Sequence, residues 1–191
     1  MSGPPTPSGP LATVRAALAV LRRRWRPAYL AALLAAGVNA VPDVVRQLLV
    51  RDDPRITAAL LVDVLGFATG VVAQLWVTGA VAALPAGGGL TPAGALRRGV
   101  RLAWRAVRTS PGAVALGVVL GGAVSALLTV PASVAALGLD GVVGPLGSPG
   151  AGAFTVATVS DLVASVVTLP FLAVVLVLAA GRRLAPTPQG Q

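Results

Sequence analysis

The sequence predicts an all-α integral membrane protein: a four-helix bundle accompanied by two amphipathic helices on the cytoplasmic side. Three observations predict it. The composition is too apolar for a water-soluble surface: 55% of the 191 residues are hydrophobic and 11% are charged, with a mean hydropathy of +0.85, where a soluble domain needs about 25% charged residues. Four apolar segments each run for at least 24 residues, and about 20 helical residues cross a hydrocarbon core ~30 Å thick. The arginines cluster between these segments. Helices are the expected form because lipid would leave the backbone of an open sheet unpaired.

The residue inventory narrows the function. Histidine, cysteine, lysine and glutamate are absent, so the charge consists of fifteen arginines and six aspartates. Disulfides, thiolate nucleophiles, His-ligated metals and Ser-His catalysis are excluded. No catalytic, cofactor-binding or metal-ligating residue is expected, and no cofactor. The chain reads as a non-enzyme. Its Ala/Val/Gly/Leu bulk with arginine-only basicity is the pattern of a GC-rich bacterial genome and suggests a bacterial inner membrane. One membrane domain is expected over 11–184, between disordered tails at 1–10, where "MSGPPTPSGP" has little to bury, and at 185–191.

The elements follow in order. Residues 11–26 place Leu11, Val14, Leu18, Leu21 and Trp25 at three- and four-residue steps, with Arg15, Arg22 and Arg26 on another side, which is an amphipathic helix. The spans are expected at 27–50, 56–84, 111–139 and 154–181. "AYLAALLAAGVNA" behind an arginine cluster has the layout of a signal peptide, and Val38-Asn39-Ala40 resembles a cleavage site. The apolar run continues to Val50, however, so a retained span is expected. A second amphipathic helix is predicted at 91–108, with Thr91 as N-cap and Pro92 at the first helical position. Ser110-Pro111 repeats that device and starts the third span.

Charge then orients the chain. Arg15, Arg22, Arg23, Arg24 and Arg26 precede the first span; Arg97, Arg98, Arg101, Arg105 and Arg108 join the second to the third; Arg182 and Arg183 follow the fourth. Those twelve fall on one side. The opposite connectors are "RDDPR" at 51–55, balanced at zero, and "DGVVGPLGSPGAGA" at 140–153, with no basic residue. Basic loops stay in the cytoplasm, so a multi-pass protein of the inner membrane with both termini cytoplasmic is expected, with Trp25, Tyr29, Trp76 and Trp104 near the inner interface.

The same helix predicts a partner. Leu96, Val100, Ala103 and Val107 share one face, Arg97, Arg101, Arg105 and Arg108 line another, and Arg98 and Trp104 sit near the boundary. A basic amphipathic helix joined to a span lies in the headgroup plane, arginines toward anionic phosphates. The lipid-binding residues are therefore Arg97, Arg98, Arg101, Arg105, Arg108 and Trp104, with Arg22, Arg23, Arg24 and Arg26 of the first helix. A net charge of +9 also fits nucleic acid, but no binding motif is present and every cluster is tethered beside the bilayer, so no nucleic-acid partner is expected.

Two likenesses stand out. "LRRRWRPAYLAAL" and "VRLAWRAVRTSPGAVAL" both run from an arginine-rich helix through Trp-Arg and a proline into a span, the pattern of a parallel two-fold repeat. "GAVAALPAGGGLTPAGALRRGVRLAWRAV", 79–107, resembles the span, glycine-rich turn, Thr/Ser-Pro start and Ala-Leu-Arg-Arg helix of the membrane domain associated with glycerophosphodiester phosphodiesterases and of related bacterial inner-membrane proteins. That family typically has six spans where these 191 residues have room for four, and no phosphodiesterase catalytic domain is expected within them. The resemblance implies a membrane domain and no active site.

Inside the spans, Gly66/Gly70 and Gly117/Gly121 are helix-packing faces, and Pro42, Pro131 and Pro170 predict kinks, with Thr129 and Thr168 placed to satisfy freed carbonyls. If "RDDPR" is a turn, the first two spans form a hairpin in which positions summing to about 106 lie level. Asn39, Asp43, Arg46, Asp63 and Gln74 then form a polar seam, with Arg46 bridging the two spans through Asp63, Asp43 or both, or snorkelling outward while paired with Asp43. Interhelical glue is the expected role of that seam, ahead of a solute site. The expected function is a non-catalytic scaffold or accessory protein associating with anionic lipid and with membrane partners, a second copy of itself or another protein. The alternative is a small oligomeric transporter or channel subunit using the seam.

Overall fold

The computed structural model describes residues 9–42, 44–45, 56–143 and 150–181. It is all-helical, with no strand among the described residues. The elements are α1 (Pro10–Arg23), α2 (Trp25–Asn39), α3 (Ile56–Ala80), a short 3₁₀ turn at Leu84–Ala86, α4 (Ala95–Thr109), α5 (Pro111–Val143) and α6 (Ala151–Ala180). Three stretches, Val64–Ala86, Pro111–Ala136 and Gly152–Ala180, are long and apolar enough to cross a membrane. They fall in the second, third and fourth expected spans.

Proline and glycine set the breaks. α1 ends at Arg23, and α2 begins two residues before Pro27. α2 stops at Asn39, where Pro42 has no N–H to offer the carbonyl of Val38, and helix resumes at 41–42 and 44–45. Pro131 and Pro170 are carried within α5 and α6. α5 departs from helical geometry at Gly138 (φ 72°, ψ 164°), a conformation that glycine adopts at little steric cost. Thr129 and Thr168 donate to the carbonyls of Ser125 (3.0 Å) and Ala164 (2.8 Å). Neither hydroxyl reaches the carbonyl four residues before the proline, so the expectation that these threonines satisfy the freed groups is corrected. It is Ser160 on α6 that reaches the neighbouring turn, donating to Leu128 at 3.2 Å.

α6 is the central helix and touches all five others. Half of its most apolar stretch is buried, against 17% for that of α5. The core gathers at one end of the molecule, where α1, the start of α2, the end of α3, α4, the start of α5 and the end of α6 converge. There Ala17, Ala28, Val77, Val81, Val174 and Val175 are fully enclosed. All ten described arginines lie on α1, on α4, in the first turn of α2 or, for Arg24, at the break between α1 and α2, so this is called the arginine end. Away from that core the helices present Leu61, Val64, Phe67, Val119 and Leu127 outward, with Phe67 77% exposed. Such an apolar exterior is what a lipid environment accommodates.

The two glycine faces pack within the bundle. A Cβ on Gly117 would meet Val175 Cγ1 at 2.9 Å, and Gly121 faces Phe171; Gly66 and Gly70 face Pro42 and Asn39. The closest approach is between Gly79 of α3 and Gly99 of α4. A side chain on Gly79 would run into the Ala95 carbonyl, and one on Gly99 into the Leu75 carbonyl. Backbone meets backbone at this crossing.

Candidate functional site: the arginine end

α4 starts later than its cap motif suggests. Gly94, at φ 65°, precedes its first residue, and no side-chain cap is made. Thr91 and Pro92 lie outside the helix, which corrects the expectation of a Thr91 cap and a helix from 91. The reason lies in the groups that Thr91 bonds instead. Its N–H donates to the Ala80 carbonyl at 3.0 Å, one of the last carbonyls of α3, which have no intrahelical donor. Its hydroxyl and carbonyl both accept from Arg98 Nη2, the hydroxyl at 2.9 Å.

Arg98 thus parts from its neighbours. Its Nε donates to the Gly79 carbonyl at 2.9 Å, and Nη2 also reaches the Ala93 carbonyl at 3.3 Å. A cation at a helix C-terminus complements the negative end of the dipole, so Arg98 ties the end of α3 to the start of α4. Arg24 makes a similar tie, donating to the Gly87 carbonyl at 3.1 Å. At the other end of α4, Thr109 donates to the Ala179 carbonyl in the last turn of α6 at 3.0 Å. Ser110 then ends the helix and Pro111 opens α5, as the Ser-Pro motif predicts.

Held at both ends, α4 has three faces. Ala95, Gly99 and Ala106 are buried against the bundle. Leu96, Val100, Trp104 and Val107 form an exposed apolar face, with Trp104 60% exposed. Arg97, Arg101, Arg105 and Arg108 form an exposed basic face. At 100° per residue these stripes lie roughly a third of a turn apart. The Arg108 guanidinium stacks 4.3 Å from the Trp104 ring centroid, joining the apolar and basic faces at their edge. On α1, Thr13, Val14, Ala17 and Leu21 are buried while Arg15, Arg22 and Arg23 are exposed. Arg26, at the start of α2, lies 5.4 Å from the Trp25 ring centroid.

Of the residues expected in the polar seam, Asn39 and Gln74 have described side chains, and the two do not meet. Thr69 donates to Asn39 Oδ1 at 2.9 Å, so Asn39 lies level with Thr69, and Pro42 lies level with Gly66. The hairpin register is therefore two residues from the expected one. Gln74 does not join the seam. It donates to Thr78 Oγ1 at 3.3 Å and across to the Leu169 carbonyl of α6 at 3.4 Å, because it lies about a quarter turn round α3 from the face bearing Gly66, Thr69 and Gly70. Asp43, Arg46 and the Asp63 side chain lie outside the described residues, as do Arg182 and Arg183. Asp161, an exposed aspartate on α6, lies outside the expected seam. An ionisable residue within an apolar segment is the signal that would have found it. Among the described residues, no group of three His, Cys, Asp or Glu side chains is placed to hold a metal ion.

Between α2 and α3 lies a groove of about 480 Å³, walled by Leu34, Val38, Val72 and Trp76 over Asn39 and Thr69. Comparison with known proteins finds no match: no family model, no curated protein and no solved structure.

Proposed function

We propose that the chain is a non-catalytic, polytopic inner-membrane protein whose arginine end rests on the anionic lipid of the cytoplasmic leaflet. In this reading α2 with its continuation is the fourth span, both termini are cytoplasmic, and the bundle serves as a scaffold for membrane partners. The observation that carries it is the three-faced α4. A helix with one side on the bundle, one apolar side exposed and four exposed arginines on a third side fits the plane of the headgroups. Each such arginine contributes about 1 kcal/mol near an anionic surface. The likeness of 79–107 to a membrane domain without catalytic residues supports the same reading, as does the recurrence of an arginine-bearing helix before each pair of apolar helices.

The alternative, an oligomeric transporter or channel subunit, has the groove between α2 and α3 as its support. Its walls are apolar, and the polar groups at its base bond each other. That lining suits an alkyl chain better than a hydrated solute.

The full chain, purified in mild detergent, should gain thermal stability from phosphatidylglycerol and little from phosphatidylcholine. Replacing Arg97, Arg101, Arg105 and Arg108 with Gln should remove the difference. Equal stabilisation of the native chain by the two lipids, or an unchanged preference in the variant, would contradict the reading.

A further inference from the structure

A second cleft, of about 280 Å³, opens beneath α1. Leu18 and Leu21 of α1 roof it, Tyr29 of α2 forms one side, Leu120 and Val124 of α5 the other, and Phe171 of α6 the back. Four helices thus contribute, and the one polar group in its depth, the Thr168 hydroxyl, donates within its own helix. The cleft runs inward from the arginine end. Tyr29 is one turn into α2, about 6 Å, and Val124 is thirteen residues into α5, roughly 20 Å at 1.5 Å per residue. That is about the depth of one leaflet of a hydrocarbon core ~30 Å thick.

The mouth has the opposite chemistry. Arg15 and Arg22 stand three residues before and four after Leu18, about 60° and 40° round α1 from it, so they lie beside Leu18 at the edge of the face that Val14, Leu18 and Leu21 turn to the cleft. Arg26 precedes Tyr29 by three residues and lies on the same side of α2. All three arginines are exposed, and among the described residues none is hydrogen-bonded or ion-paired. The Tyr29 hydroxyl likewise has no hydrogen-bond partner among them. Leu18 itself is 53% exposed, a large apolar side chain set beside unpaired guanidinium groups.

We propose that this cleft is a specific site for one anionic phospholipid of the leaflet at the arginine end, an acyl chain lying between α2 and α5 under α1 and the phosphate held by Arg15, Arg22 and the Tyr29 hydroxyl. An alkyl chain matches the apolar walls. Guanidinium groups and a phenol O–H are donors that match a phosphate in charge and geometry. The inference rests on the lipid-facing reading above but concerns α1, not α4, and requires one retained molecule and not a surface layer.

Native mass spectrometry of the full chain, taken from vesicles of equal phosphatidylglycerol and phosphatidylcholine, tests it. One phospholipid should be retained per chain, with phosphatidylglycerol favoured on the order of tenfold. Gly121 lines the cleft, and a Cβ there makes only an ordinary contact, 4.0 Å from Phe171, so Gly121→Leu fills the space with little strain on the backbone. It should cut retention about tenfold with an unchanged melting temperature. Arg15→Gln with Arg22→Gln, which leaves the core intact, should keep a retained lipid but lose the preference for phosphatidylglycerol. The four-arginine variant of α4 should retain the lipid as the native chain does, so failure of the surface reading and failure of the cleft are separable. Equal retention of the two lipids by the native chain would overturn the proposal, as would full retention by Gly121→Leu.

Discussion

Gly79 and Gly99 show how much one missing carbon can decide. Where α3 crosses α4, each glycine faces a carbonyl of the other helix with no room for a methyl group. Alanine at either position must push the helices apart, and overpacking of this kind costs about 1–3 kcal/mol. Gly79→Ala and Gly99→Ala should each lower the melting temperature, by roughly 2–4 °C per kcal/mol for a chain of this size. Gly122 sits inside α5 with nothing within 4 Å of a built Cβ. Gly122→Ala should be neutral or gain up to about 1 kcal/mol of helix propensity. Thermal unfolding of the three variants in one detergent checks the contrast, and equal effects would contradict it. The pair was not legible in advance because its members are twenty residues apart in different segments. Gly66/Gly70 and Gly117/Gly121 were legible because four-residue spacing within one helix shows a face directly, and both face neighbouring helices of the bundle.

At the scale of the element, α4 explains why similar arginines do different work. Arg101 is exposed on the basic face, whereas Arg98 spends its donors on the Gly79, Thr91 and Ala93 carbonyls and on the Thr91 hydroxyl. Hydrogen bonds from a charged group are each worth about 1.5–3 kcal/mol before solvent exposure reduces them. Arg98→Gln should therefore lower stability by roughly 1–2 kcal/mol and leave most of the response to anionic lipid. Arg101→Gln should leave stability without lipid unchanged and reduce the response to anionic lipid by one arginine's share, about 1 kcal/mol. Melting curves with and without phosphatidylglycerol separate the two, and identical behaviour would refute the division. The sequence displayed two faces of this helix because charge and large apolar side chains contrast strongly. It hid the third, since Ala95, Gly99 and Ala106 carry almost no hydropathy signal and their role appears only where α3 lies against them. The cap was misread for a similar reason: Thr91 fits an N-cap locally, but its groups are taken by Ala80 and Arg98. Hairpin register, by contrast, followed to within two residues from the position of the turn alone; the quarter-turn offset of Gln74 was also present in the periodicity of α3, and what the sequence hid was that α6 lies on that side to accept its hydrogen bond.

For the whole molecule, packing and charge share an axis. The arginine end holds the fully enclosed core and the carbonyl ties between α3, α4 and α6, and away from that core the helices spread apolar side chains outward. The all-helical class and three membrane-length helices were legible because composition and segment length report them without any tertiary contact. That α6 is central was not: its stretch has the highest mean hydropathy of the three, 2.7 against 2.3 and 1.7, but apolar side chains suit lipid and a protein core alike, and only the contacts show which helix is enclosed. The proposed orientation puts the arginine end in the cytoplasm. Since the chain lacks cysteine, single reporters can be introduced at Gly89, in the turn before α4, and at Gly150, just before α6; both are exposed, with nothing within 4 Å of a built Cβ. In intact bacterial cells a membrane-impermeant maleimide should label Gly150→Cys and spare Gly89→Cys until the cells are opened. Labelling of Gly89→Cys in intact cells, or of neither position before lysis and both after it, would contradict the account.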